Sequence, residues 1–337
     1  MNTSKAAPLV TKAHITYKDS VKRAVLIITT AAFTALLLTY SPIVAKSVSR
    51  SLQVCAKKLI PSLFPFMVSA QLFFTLGASD VITKIFGRSF EAIFGISGAG
   101  ASAFLLGAVC GLPLGGKCAL ELYKSGRLTS SECERLTAMS TNAGLGFTVA
   151  GVGGALLGNI RLGFAVYFVQ IIAQITVGIL LKPHRDIRSI APVTDKTPYT
   201  PFLSAVSSAI STSAVGIVAV CGYVTFFGVI CDLTINICDI YGASEITRLT
   251  IISLTELTCA CEEISTHLNS IEPAIRNFAY LSLFFSFGFS GLSVHMQLSS
   301  IASETDVRIK TIILMKLLCG LLSVIIGSLT CLIFNIK

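Results

Sequence analysis

The sequence predicts an all-α, multipass transmembrane helical bundle built as two related, inverted repeats with broken or re-entrant helices. Three observations predict it. Of 337 residues, 53% are hydrophobic and 13% charged, and the mean hydropathy is +0.79. Soluble domains carry about 25% charged residues, and one soluble core has no room for so much apolar surface. Several stretches also reach the ~20 apolar residues that cross a bilayer. Finally, the apolar segments form two sets around a polar linker, with their interruptions in the same order.

Residues 1–23 form a basic tail in which Lys5, Lys12, Lys18, Lys22 and Arg23 face one acid, Asp19. This bias assigns the N-terminus to the cytoplasm. The net charge of +9 does not mark a nucleic-acid binder, because no basic stripe is interleaved with aromatics and Trp is absent. Residues 24–45 read as a retained anchor helix. A cleaved leader is the alternative, with Ile43 and Ala45 as loose matches to a cleavage site, but the polar tail is long and the run spans a membrane. Between 46 and 59, Lys46, Arg50 and Lys57 share one helical face while Val48, Leu52, Cys55 and Leu59 share the other. That pattern reads as a short helix lying along the headgroups.

Two halves follow, 46–181 and 202–337. The first contains apolar segments at 59–77, 99–116, 143–158 and 162–181; the second has them at 204–235, 247–261, 276–299 and 309–334. The linker 182–201 carries Pro183, Pro192, Pro198 and Pro201. Within the polar stretch 117–142, Thr129 and Glu132 form a capping box that starts a helix at Ser130. Its Glu132, Glu134 and Arg135 read as a solvated face. Most of the eleven cysteines, among them Cys110, Cys221, Cys231, Cys259, Cys319 and Cys331, sit in apolar segments. Cys259 and Cys261 form only a CxC without a second pair, so the cysteines read as small hydrophobes. No metal site and no cofactor is expected.

Four places break the hydrophobic pattern. Gly111, Pro113 and Gly116 interrupt an apolar run immediately before Lys117, and Asn142 and Gly144 open a stretch with Gly151, Gly153, Gly154 and Gly158. Glu256 lies in apolar surroundings, and Gly288, Gly291, His295 and Gln297 stand near the end of another run. Proline removes a backbone donor and glycine loosens a helix. Broken backbone at membrane depth survives only where protein surrounds it or a cavity adjoins it. Freed N–H groups attract anions and freed carbonyls attract cations. These eleven residues are therefore the candidates for binding a solute or ion. Close packing of small residues is the alternative, favoured for 151–158. A helix-end carboxylate is the alternative for Glu256, given Glu262 and Glu263 nearby.

The interruptions echo one another, since 31 residues separate Pro113 from Gly144 and 32 separate Glu256 from Gly288. In inverted repeats each half makes an odd number of crossings, which requires re-entrant segments; 99–116 and 247–261 are the short, interrupted ones. That geometry would direct Lys117, Asn142, Glu256 and Gln297 toward one polar cavity. An enzyme reading is remote. Gly288-Phe289-Ser290-Gly291 matches the GxSG of rhomboid-like intramembrane proteases, but His295 shares its segment and His14, His184 and His267 lie in tail, linker and loop.

Taken together, SLFPFMVSAQLFF, GAVCGLPLGGKCALELYKSGRLTSSECERLTAMSTNAGLGF, LTELTCAC and FGFSGLSVHMQ resemble the sporulation integral membrane protein YlbJ family, grouped with nucleoside-recognition Gate-domain proteins. The resemblance runs from about Ser51 to the C-terminus. It implies a spore-forming Firmicute, a multipass protein of the cell membrane or the outer forespore membrane, and a distant relation to concentrative nucleoside transporters with re-entrant hairpins. It also implies transport of a small anionic metabolite, dipicolinate being the natural candidate. A non-transporting scaffold that recruits sporulation partners is the alternative. The family motifs carry over to Gly111, Pro113, Gly116 and Lys117, to Glu256, and to Gly288, Gly291, His295 and Gln297. Leu112 replaces the family's usual tyrosine, and Ser290 stands where another glycine is expected.

Overall fold

A computed structural model describes residues 17–111, 114–183 and 200–334; Pro113, most of the basic tail and most of the linker lie outside them. The described residues are helical, without a strand. Six stretches are long and apolar enough to cross a membrane: Ser20–Thr39, Ser41–Thr75, Ile160–Leu180, Phe202–Ile240, Pro273–Ala302 and Ile309–Ile333. They make this a multipass membrane protein.

Helix α1 (Tyr17–Thr39) presents Leu26, Ile27, Ile28 and Leu38 outward, a face that only lipid satisfies. It ends at Thr39, short of residue 45, because Pro42 occupies the first turn of the next helix. That helix, α2 (Ser41–Val54), passes through a π-turn at Cys55–Leu59 into α3 (Ile60–Thr75). The expected headgroup helix at 46–59 is therefore part of one continuous 35-residue span. Two of its basic residues find acids: Arg50 lies 2.8 Å from Asp232 and 3.9 Å from Glu262, and Lys58 lies 3.5 Å from Glu262. The helix suited to the headgroup layer is α4 (Ala78–Phe94). Left-handed Gly77 and Gly95 bound it, and it exposes Lys84 and Arg88 along with Val81, Ile85 and Phe86.

The next elements occur twice in the same order. Helices α5 (Gly100–Cys110) and α6 (Leu114–Lys124) form a hairpin, shown by a Cβ built on Gly115 falling 2.6 Å from the Gly107 Cα. Then α7 (Ser130–Ser140), a break at 141–144 and a π-helical segment (Gly146–Leu156) make one interrupted span, followed by α8 (Ile160–Leu180). The 39-residue α9 (Phe202–Ile240) leads to the second set. Helices α10 (Glu245–Thr255) and α11 (Leu257–His267) fold back on each other, with His267 3.0 Å from Glu245 and Arg248 3.7 Å from Glu263. Helices α12 (Pro273–Phe289) and α13 (Gly291–Ala302) form the second interrupted span, and α14 (Ile309–Phe334) closes the fold.

Each hairpin arm has 11 residues, or roughly 16 Å of helix, half the hydrocarbon thickness. A hairpin leaves by the face it entered. Where the first interrupted span, α8 and α9 each cross once, the hairpins enter from opposite faces, as the inverted arrangement requires.

The face of α7 expected to be solvated is buried: Glu132 is 2% exposed, Glu134 2% and Arg135 5%. These charges serve other helix ends. Glu132 closes the capping box with Thr129 and accepts the Ser97 N–H at 2.8 Å. Arg135 donates to the Phe94 and Gly95 carbonyls at 2.8 and 2.7 Å, capping the C-terminus of α4. Glu134 accepts from Arg308 at the start of α14 through the backbone N–H and two guanidinium nitrogens, at 2.9–3.1 Å. Such partners offset the cost of burying these charges, although Arg135 Nε is left without a hydrogen-bond partner. Arg135→Met removes two charge-assisted bonds and should lower stability by about 3 kcal/mol. Lys124→Met removes only a pair with Glu304 in which both side chains are largely exposed, and should cost under ~1 kcal/mol. Thermal unfolding of both variants in detergent checks the contrast.

Candidate solute site at two helix breaks

Each hairpin tip rests on the break of the interrupted span that follows it. At the first, a Cβ on Gly144 would lie 2.7 Å from the Cys110 carbonyl carbon and 2.9 Å from the Gly111 nitrogen. Only two glycines, one of them at φ +83°, permit that approach. At the second, Gly291 (φ +78°) packs against Thr255 and Glu256, its ideal Cβ being 3.2 Å from the Thr255 oxygen. Ser290 precedes it at φ 75°, the one non-glycine residue with positive φ among those described. The serine in place of the expected glycine therefore sits in a strained, left-handed conformation.

Neighbouring helices supply partners for the first break. The Gln170 side chain of α8 acts as a surrogate peptide for Ala143, donating to its carbonyl at 2.7 Å and accepting its N–H at 3.3 Å. Asn142 is fully buried with its amide facing that of Gln174. Lys316 of α14 is also fully buried and donates to the Thr141 carbonyl at 2.8 Å. The sequence reading passed over Gln170, Gln174 and Lys316. The cost of polar groups in apolar spans, which singled out Glu256, would have found all three.

Glu256 joins α10 to α11 in an extended conformation (φ −150°, ψ 128°) and is 2% exposed. Its carboxylate accepts the Cys259 N–H at 2.7 Å, capping α11, and it has no ion-pair partner among the described residues. The helix-end alternative is thus part of the answer, but the end lies at the hairpin tip within the protein. A small cavity of about 40 Å³ opens beside it, room for a water or an ion. Glu256, Thr258, Gln297 and the residues Ala143 and Gly144 line it on the polar side; Leu63, Phe147, Val220 and Val224 line it on the apolar side.

The structure brings Glu256, Gln297 and Gly144 to this cavity, with Asn142 buried two residues before Gly144 at the same break. Lys117 lies outside it, with Nζ 3.8 Å from Glu121 one turn along α6. Gly116 makes room for Leu298 and Thr141, and an ideal Cβ on Gly288 would fall 2.7 Å from the Gly320 Cα in α14; both are close helix contacts. Gly153 likewise meets Gly163. His295 is buried against Phe289 with ring centroids 4.7 Å apart. Neither its ring nitrogens nor Ser290 Oγ has a hydrogen-bond partner, so no Ser–His pair forms. The eleven cysteines are free. The ligand atoms of Glu245, Glu263 and His267 lie within 4.8 Å of one another, as a metal site would require, but Arg248 already pairs with both carboxylates.

Gly144→Val should drive the first hairpin tip off its break, because the Cβ alone falls 2.7 Å from backbone. A loss of at least 2 kcal/mol, on the order expected for overpacking, should appear in thermal unfolding. Gly222→Val, where an added Cβ meets nothing within 4 Å, should leave stability nearly unchanged.

No family model matches the sequence. The chain is 23% identical over 299 residues to the sporulation integral membrane protein YlbJ of Bacillus subtilis (strain 168), an alignment covering 78% of this chain and 71% of that one. Among solved structures it is similar to CNTnw in an outward-facing state, with TM-score 0.56 and 15% identity over 92% of this chain and 85% of that one. It is also similar to CNTnw in an inward-facing, substrate-bound state, with TM-score 0.52 and 14% identity over 94% and 86% of the two chains. At such identities the structural likeness establishes the fold. The protein is a multipass membrane protein, similar in sequence to the sporulation integral membrane protein YlbJ and in fold to CNTnw.

Proposed function

We propose that this protein transports a small carboxylate-bearing metabolite across a bacterial membrane, with a proton or cation carried at Glu256. The observation that carries the reading is a buried, unpaired carboxylate at a re-entrant hairpin tip, facing a cavity whose other wall is a second helix break. A carboxylate held in an apolar interior without a counter-charge is costly, and such groups mark substrate or ion pathways. Glu256 also repels an anionic solute unless a proton or cation neutralises it, which links the two cargoes through charge balance. Hairpins entering from opposite faces allow each tip to open toward its own side, as alternating access requires.

Dipicolinate is the substrate that the family resemblance offers, and its two carboxylates suit a site that takes up positive charge with its solute. The same resemblance supports the outer forespore membrane as the location, and the basic tail supports a cytoplasmic N-terminus.

Reconstitution into liposomes tests the proposal, with dipicolinate uptake read inside the vesicles. The wild-type protein should take it up. Glu256→Gln keeps an oxygen for the Cys259 N–H, so folding should persist while uptake falls about tenfold or more. Wild-type protein that moves no dipicolinate or related dicarboxylate would favour the scaffold reading. Full uptake by the glutamine variant would leave Glu256 as a structural cap.

A further inference from the structure

Lys316 is the fully buried cation of the described core, and the proposed pathway does not use it. It lies seven residues into α14, roughly 10 Å along the helix axis, where burying an ammonium is expensive. No carboxylate partners it among the described residues. Its Nζ donates at 2.8 Å to the carbonyl of Thr141, the C-cap residue of α7. The Gln174 amide oxygen, in the orientation that satisfies the Asn142–Gln174 pair, lies 3.3 Å away. The ammonium therefore sits among neutral oxygens at the C-terminal end of a half-helix.

That end carries the negative pole of the helix and carbonyls released from the ladder. In carriers with interrupted helices, such ends coordinate alkali cations. Here the position is filled by a positive charge anchored on another helix. We infer that Lys316 is a tethered cation standing in for a free alkali ion at the first break. The first break then needs no dissolved cation, and α14 is pinned to it permanently. If the transport reading holds, only the second break, at Glu256, is left for coupling. That consequence rests on the transport reading; the occupancy of the first break does not.

The test uses purified full-length protein in detergent, melted in NaCl, KCl and choline chloride at equal ionic strength. With Glu256→Gln introduced throughout, so that the second break holds no cation, the protein with Lys316 intact should melt at one temperature in all three. Lys316→Ala empties the position and leaves room for an ion, so it should melt lower in choline and regain about 4 °C or more in Na⁺ or K⁺, saturably. Lys316→Met fills the space with an apolar chain and should regain nothing. A saturable, cation-specific stabilisation of the Glu256→Gln protein with Lys316 intact would overturn the inference even if neither Lys316 variant folds. A folded Lys316→Ala protein destabilised equally in all three salts would overturn it too. Dipicolinate uptake in choline medium reads the coupling consequence separately. Uptake by Glu256→Gln that still requires Na⁺ would reject the coupling consequence and keep the occupancy.

Discussion

The structure depends on one constraint: backbone groups released by a helix break inside a membrane must find partners within the protein. Lipid offers none, and an unpaired amide there costs several kcal/mol. Both interrupted spans meet this constraint through packing that only small or extended residues allow. Gly111 lies directly on Gly144, and Gly291 packs against the extended Glu256. Gln170 and Lys316 then bind the carbonyls on either side of Asn142.

The same constraint explains the unusual burial of charge. The helix ends that surround the hairpins sit where water is scarce, so their free groups are capped by side chains. Glu132 caps α7 and reaches Ser97, while Arg135 takes the last carbonyls of α4. Glu134 fixes the start of α14 through Arg308, 174 residues away in sequence. Arg50 and Lys58 tie the first long span to α9 and α11. These pairs set the position of whole helices more than they add net stability, since desolvation offsets most of their attraction.

Glu256 and Lys316 belong to the two breaks and have opposite chemistry. At the second break a carboxylate caps the N-terminus of α11, where the helix pole is positive. At the first an ammonium caps the C-terminus of α7, where the pole is negative. Each charge is therefore matched to a helix end rather than to a counter-ion. A helix end attracts more weakly than a full opposite charge at contact distance.

The sequence by itself determined the membrane environment and the helical class, because apolar runs of spanning length have few other solutions. It also marked the breaks. Glycine, proline and a lone acid within apolar runs are local signals, and Gly111, Asn142, Gly144, Glu256 and Gln297 were legible on that ground. The capping box at Thr129 and Glu132 was legible because all its partners lie within four residues. Only the tertiary structure decided that 46–59 belongs to a long span and that the charged face of α7 is buried. In both cases the deciding partners, Asp232, Glu262 and Arg308, are more than 170 residues distant. Lys117 and Lys316 show the same limit. Adjacency to a break in sequence pointed to Lys117, whose helix turns it toward Glu121. The packing of α14 against α7 instead delivers Lys316, because helix packing brings together residues that no local pattern relates.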